Sequence, residues 1–377
     1  MTTILKKYSL LLIISIVGAV TAHAQRSNAD DAPVTFEELY DAPYDINQLF
    51  IGFQPMYGET YVSNINGGFG LDAMYFHQNL MRIHANARLP YGQKFDQEKN
   101  RGVSKSTYVP GYFENDPTFI GINKNKPGVT NNINSYQYFE VGGTYHIKDF
   151  EKDSETKMYL YKNSYEGDKW ASRVPRVANI PSKVRQIYGA RLGVMYYKTS
   201  TNVRKAMSKQ GVTLNDLTDD FGRTFAEKYG TDDISLSANV NTLGIYAGAS
   251  MTWIHNVAVE FDNKYEPGVD DLILNAYFDI IYGASVVVED IEYRGNDIVS
   301  STTDFVSTTY AMDPIKINPV GFRLGLEGRF NRTLSWSYGG EMGYKPSLKG
   351  RGFFALIKIS VPVYSTSLKY EVEAFGK

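Results

Sequence analysis

Apolar and polar residues alternate over long stretches of this chain. At 321–331, Phe322, Leu324, Leu326, Gly328 and Phe330 share one parity, while Arg323, Glu327 and Arg329 hold the other. At 336–344, Trp336, Tyr338, Met342 and Tyr344 oppose Ser337 and Glu341, and at 352–363 Phe353, Ala355, Ile357, Ile359, Val361 and Val363 fall together. A period of two held over about ten residues predicts strands, because the 3.6-residue turn of a helix would mix the two sets. The same grammar recurs at 80–89, 136–147, 185–198, 242–253 and 271–289. It is weaker at 50–56, 66–76, 157–162, 202–208, 256–264 and 302–310. The pattern therefore predicts 14 strands, or 12 if 202–208 and 302–310 are not strands.

Strand length and the chemistry of the strand ends select the environment. Ordinary strands run about 5–6 residues, whereas strands that cross a bilayer need about 9–11 at a tilt near 45°. Phe322 and Phe330 bracket one apolar face, Trp336 and Tyr344 bracket the next, and Trp253 ends another. Aromatics at both ends of an apolar stripe are what two membrane interfaces select. The opposite parity collects Arg82, His84, Arg88, Glu140, Arg185, Arg191, Asp279, Arg323, Glu327, Arg329 and Glu341, which are the candidate lumen-lining residues. Short turns at 77–79, 254–256 and 331–333 fall at one end of the strands, and the long connections 90–133 and 209–241 at the other. The expectation is an all-β fold: a transmembrane, antiparallel, up-and-down barrel spanning 49–364, with a short tail at 365–377. A cation on the outer face, as in Leu324→Arg, should be rejected, and Arg323→Leu on the inner face tolerated.

These features resemble the outer-membrane β-barrel proteins of diderm bacteria as a broad class, over roughly residues 50–364. The strand count and the leading non-strand segment are also similar to the fatty-acid-transporter type of 14-stranded barrel. The resemblance implies a chain embedded in outer-membrane lipid.

The start of the chain is an export address. Lys6 and Lys7 precede an apolar run at 10–20, and Ala22-His23-Ala24 supplies small residues for cleavage after Ala24. Residues 25–48 are acidic and interrupted by Pro33 and Pro43, so they read as a non-strand leader, either a plug in the lumen or a peptide that docks on a protein partner. Residues 213–229 read as a short amphipathic helix in a loop, with Thr213 as cap, Leu214, Leu217, Phe221 and Phe225 on one side and Gly230 after the end. It is the second candidate contact for a protein partner.

Composition narrows the chemistry. The 377 residues hold 14% aromatics, 33 Gly and no Cys, which excludes disulfide frameworks, thiolate metal sites, cysteine nucleophiles and a lipid-anchored N-terminal cysteine. A formal charge of −2 does not suit nucleic acid as a partner. His77, His84, His146 and His255 form no two-histidine helical pair, and no glycine-rich phosphate loop joins a strand to a helix. No cofactor, metal site or enzymatic constellation is expected. The leading expectation is a channel or transport path for a small solute in a mixed-charge lumen. The alternative is a structural or accessory barrel subunit of an outer-membrane secretion or assembly complex.

Overall fold

The computed structural model describes residues 35–100, 128–160, 176–230, 236–261, 265–296, 305–331 and 336–367. The expected signal peptide, the first part of the leader and most of the expected tail lie outside the described residues. Ten strands close into a barrel in sequence order, each beside its chain neighbours and the last beside the first. They are β1 (Gln48–Tyr61), β2 (Ile65–Phe76), β3 (Met81–Pro90), β4 (Gln137–Leu160), β5 (Arg176–Asn202), β6 (Ser237–Ile254), β7 (Leu272–Val288), β8 (Val320–Phe330), β9 (Ser337–Tyr344) and β10 (Phe353–Ser367). The ladders are long: β7 pairs with β6 from Ile273↔Ile254 to Val288↔Val240, and β10 closes on β1 from Phe354↔Tyr61 to Ser367↔Gln48.

The barrel has ten strands rather than 14 or 12, and each of the four surplus segments has a physical account. Residues 157–160 are the run-on of β4. Residues 203–210 form helix α1 (Val203–Gln210), where the Asn202 side chain accepts from the Lys205 N–H and Gly211, at φ 72°, stops the last turn. These local caps outweigh an alternation that spans only a few residues. Val257–Phe261 and Phe305–Tyr310 are strands, but in small separate sheets: the first pairs with Phe36–Asp41 and Gly268–Asp270, the second with Ile291–Asn296. Alternation reports that one face of a strand is covered and carries no information about which sheet it joins.

The chain divides into two compact units. The smaller holds the described parts of Met1–Asp41, Glu155–Ser182 and Val257–Asp270. Met158, Leu160, Ile180, Val257, Val259 and Phe261 form its core. The leader is thus not wholly non-strand, because Phe36–Asp41 is extended and laddered to Val257–Phe261, and Pro33 and Pro43 bracket that strand rather than interrupt it.

The larger unit carries the barrel. The connections at the 90, 202, 288 and 344 ends of the strands pack a cap with its own apolar core, in which Val203, Met207, Leu217, Phe225, Ile291 and Tyr310 are all nearly inaccessible. The segment expected as one helix is here two short pieces, a 3-10 turn at Leu214–Asp216 and α2 (Phe225–Tyr229). Between them Asp219 Oδ1 accepts from the N–H groups of Phe221 and Arg223, and Gly222 takes φ 76°. That reversal breaks the helical run, so Leu217 and Phe225 are buried while Phe221 is 85% exposed. Burial pushes the Asp219 carboxyl up, but those two N–H groups and the charges of Arg223 and Lys228 outweigh it and hold the group below its usual range. The ladder of β7 slips between Gly283 and Ser285. Beyond the slip Ser285, which shares the parity of Asn275 and Asp279, is exposed, and Val286 and Val288 pack against the cap.

Candidate functional site

The two faces of the barrel wall differ as alternation requires. Outward residues such as Leu192 (67% exposed), Ile357 (65%) and Leu324 (49%) have no protein cover. Phe322, Phe330, Trp336 and Tyr344 are exposed and Trp253 is half-buried. Phe322 packs on Tyr344 at 5.5 Å and Tyr344 on Phe353 at 5.7 Å between ring centres, making a continuous aromatic arc.

Inward residues meet across the lumen. Arg323 of β8, 1% exposed, donates from Nε to Asp279 Oδ2 on β7 at 2.8 Å and from both terminal nitrogens to Glu140 on β4. Glu341 lies 3.6 Å from the same guanidinium, and Arg191 of β5 donates to Asp279 Oδ1 at 2.8 Å. Strands on opposite sides of the barrel are thus joined through one buried network. Aromatic rings finish it: the Arg323 guanidinium lies 4.4 Å from the Tyr246 ring centre, Arg191 3.9 Å from Tyr277, and Arg88 3.9 Å from Tyr138. His84 Nε2 sits 2.9 Å from Tyr246 Oη and 3.4 Å from Glu140. The Tyr246 and Tyr277 rings fit because Gly193 and Gly325 stand opposite them, where a Cβ would overlap each ring.

Above and below this cluster the lumen is also filled. Toward the cap, Lys345 ion-pairs with Glu59, which accepts from Tyr136 Oη at 2.7 Å. Toward the end where Gln48 and Ser367 lie, Arg329 pairs with Asp72 at 2.5 Å and Lys358 bridges Glu327 at 2.5 Å and Glu341 at 3.3 Å. Arg185 stands apart from the cluster. It grips Asp149 and lies 4.3 Å from the Tyr44 ring, while Ile46 packs with Phe76, Ile187, Ile254 and Ile273. Between the central cluster and that apolar floor remains a cavity of about 60 Å³, whose lining includes Arg82, His84, Asn86, Asn275, Glu327 and Lys358.

Several members of the network were absent from the candidate set. Asp72 and Lys358 are legible in hindsight, since each sits opposite the apolar parity of its strand, whereas Glu59 shares the parity of Leu49, Ile51 and Phe53 and is turned inward by the register shift between Gln54 and Tyr57. Tyr138, Tyr246 and Tyr277 also sit opposite the apolar parity, but as tyrosines they did not mark an ionic interior. Tyrosine suits a lipid interface and an ionic lumen equally well, because its ring covers a guanidinium and its hydroxyl reaches a carboxylate.

No family model and no curated protein matches the chain. Among solved structures, the toluene transporter TbuX of Ralstonia pickettii aligns at 9% identity over 85% of this chain and 89% of its own, with a TM-score of 0.23. The toluene transporter TodX of P. putida aligns at 10% identity over 87% and 92%, with a TM-score of 0.25. A TodX deltaS2S3 mutant, described as a monoaromatic hydrocarbon channel, aligns at 11% identity over 86% and 91%, with a TM-score of 0.21. A likeness at these TM-scores transfers neither fold nor substrate, and the functional reading below rests on the barrel itself.

Proposed function

We propose that this protein is an integral outer-membrane β-barrel whose lumen is a gated path for small polar solutes, shut in the conformation described here. The membrane part of the reading rests on the uncovered apolar outer face and its aromatic arc, on strands long enough to span. The observation that carries the path is the material that closes it. Filling a barrel of this width needs only side-chain volume. Buried ion pairs are poor stabilisers compared with apolar packing of the same volume, so an ionic filling is costly unless some state of the barrel admits water. Pairs such as Arg323–Glu140 and Arg191–Asp279 lose little when they separate into a hydrated lumen, whereas an apolar filling would lose much.

Planar-bilayer recording tests this. The wild-type barrel should be silent or nearly so, and a barrel carrying Arg323→Gln, Glu140→Gln and Asp279→Asn should show open events, since the shapes persist and the attraction is gone. Silence of a correctly inserted triple variant would remove the gate. The second reading, an accessory barrel that holds its cap in place for a protein partner, is favoured by the packed core of that cap. Stable copurification of another protein with the wild-type chain, lost on disruption of the cap, would support it.

A further inference from the structure

We infer that the cavity in the lower half of the lumen is a binding site for one small anion, a halide or a small carboxylate, held by Arg82. This goes beyond the transport reading and would hold equally for a barrel that never conducts.

Four arginine or lysine side chains line the cavity, and three are committed to carboxylates: Arg191 to Asp279, Arg329 to Asp72, and Lys358 to Glu327 and Glu341. The fourth is Arg82, 4% exposed, which has no carboxylate within 4.0 Å and donates no hydrogen bond among the described residues. A guanidinium keeps its charge at any physiological pH and carries five N–H donors, so it cannot escape the cost of burial by losing a proton. Something must accept from it. Glu327 is the carboxylate whose field reaches it, but that group is engaged by Lys358 at 2.5 Å. Glu140, the remaining carboxylate of the lining, is gripped by Arg323.

The surroundings supply further donors that lack partners. Asn275, 1% exposed, accepts from Thr252 Oγ1 at 2.9 Å through its oxygen, which leaves its Nδ2 with nothing to bond. Thr144, directly across the ladder from Arg82, has a buried hydroxyl without a partner. Arg82 and the orphaned Asn275 amide line this poorly solvated chamber and form a donor set for an anion, with Thr144 outside the lining. The attraction there is several-fold stronger than in bulk water. The volume of about 60 Å³ exceeds the roughly 10–15 Å³ that lodges one water, so a halide or a formate-sized carboxylate fits, and a sugar acid does not.

The test uses the full-length protein in detergent. At equal ionic strength its unfolding midpoint should be higher in chloride than in gluconate, which is too large for the cavity. That difference should vanish in Arg82→Gln and survive in Arg82→Lys. Crystals of the wild-type protein soaked in bromide should show an anomalous peak beside Arg82, which decides the matter even if Arg82→Gln fails to fold. Identical midpoints in the two salts together with no bromide beside Arg82 would overturn the site and leave a cavity occupied by water only.

Discussion

The lumen and the cap solve the same problem, filling a space inside one compact unit, with opposite materials. The lumen is closed by arginines, carboxylates and tyrosine hydroxyls. The cap is closed by Val203, Met207, Leu217, Phe225, Ile291 and their neighbours, with the ion pairs of Asp219 to Arg223 and Lys228 beside that core. The difference follows from what each region has to hold it up. A closed ladder satisfies its backbone by itself and needs no apolar interior to stay folded. The cap has short helices and two- or three-stranded sheets, which are marginal alone and hold together only by burying apolar area. Polar chemistry can therefore fill the lumen at little risk to the fold, whereas the cap needs an apolar core and carries its ions beside it.

The contrast can be broken at the lumen first. Arg323→Ala leaves Glu140 buried without its main partner and Asp279 with Arg191 alone, and stripping one member from such a network costs about 3–5 kcal/mol. Urea-gradient refolding into vesicles should show this as a lowered midpoint. That outcome would reverse the expectation that position 323 tolerates Leu, because the guanidinium is the hub of the network and not one of many interchangeable lumen charges. One residue on, Leu324→Arg tests the outer face, where a cation facing lipid near the midplane costs about 2–4 kcal/mol. The measurement is the yield of heat-modifiable, membrane-inserted protein, and equal yields for Leu324→Arg and wild type would mean that this face does not meet lipid. The smallest effect is reserved for the cap. Thr224 caps α2 by accepting from the Glu227 N–H at 3.1 Å, while the Glu227 side chain returns a bond to the Thr224 N–H. Thr224→Ala should cost about 1 kcal/mol, seen as faster proteolysis within 203–230 while the barrel keeps its unboiled gel mobility. Loss of the barrel band as well would show that the two regions fold as one.

The wall was legible because alternation is dictated by position: residues 322, 324 and 326 had to face away from 323 and 327 whatever sheet they joined. Partnership was not legible. Nothing in the pattern says that Arg323 meets Glu140 from a strand far away in sequence, or that Arg82 pairs with no carboxylate among the described residues. The strand count failed where periodicity was short and local chemistry strong, as at Asn202 and Gly211, whose caps turn a candidate strand into α1. The cap was opaque for a related reason. Its contacts are made by Tyr293, Tyr310 and Leu348 from distant connections, and no single window contains enough of them to show a face.

The seam between β10 and β1 joins the two ends of the barrel-forming chain, and this fixes an order of events. Every other strand can pair with a neighbour that has just been made, while β1 must wait for residues 353–367 before its second edge is covered. Contacts so remote in sequence are slow to form, and until they do, β1 and β9 each offer an unpaired edge to any other extended chain nearby. The seam is also irregular. It shifts register twice, at Ile359/Val361 and Pro362/Tyr364, where the β1–β2 and β6–β7 ladders shift once each. Removing β10 would therefore not give a nine-stranded version of the same object. It would give a curled sheet with two live edges, whose fate depends on which extended chain it meets first.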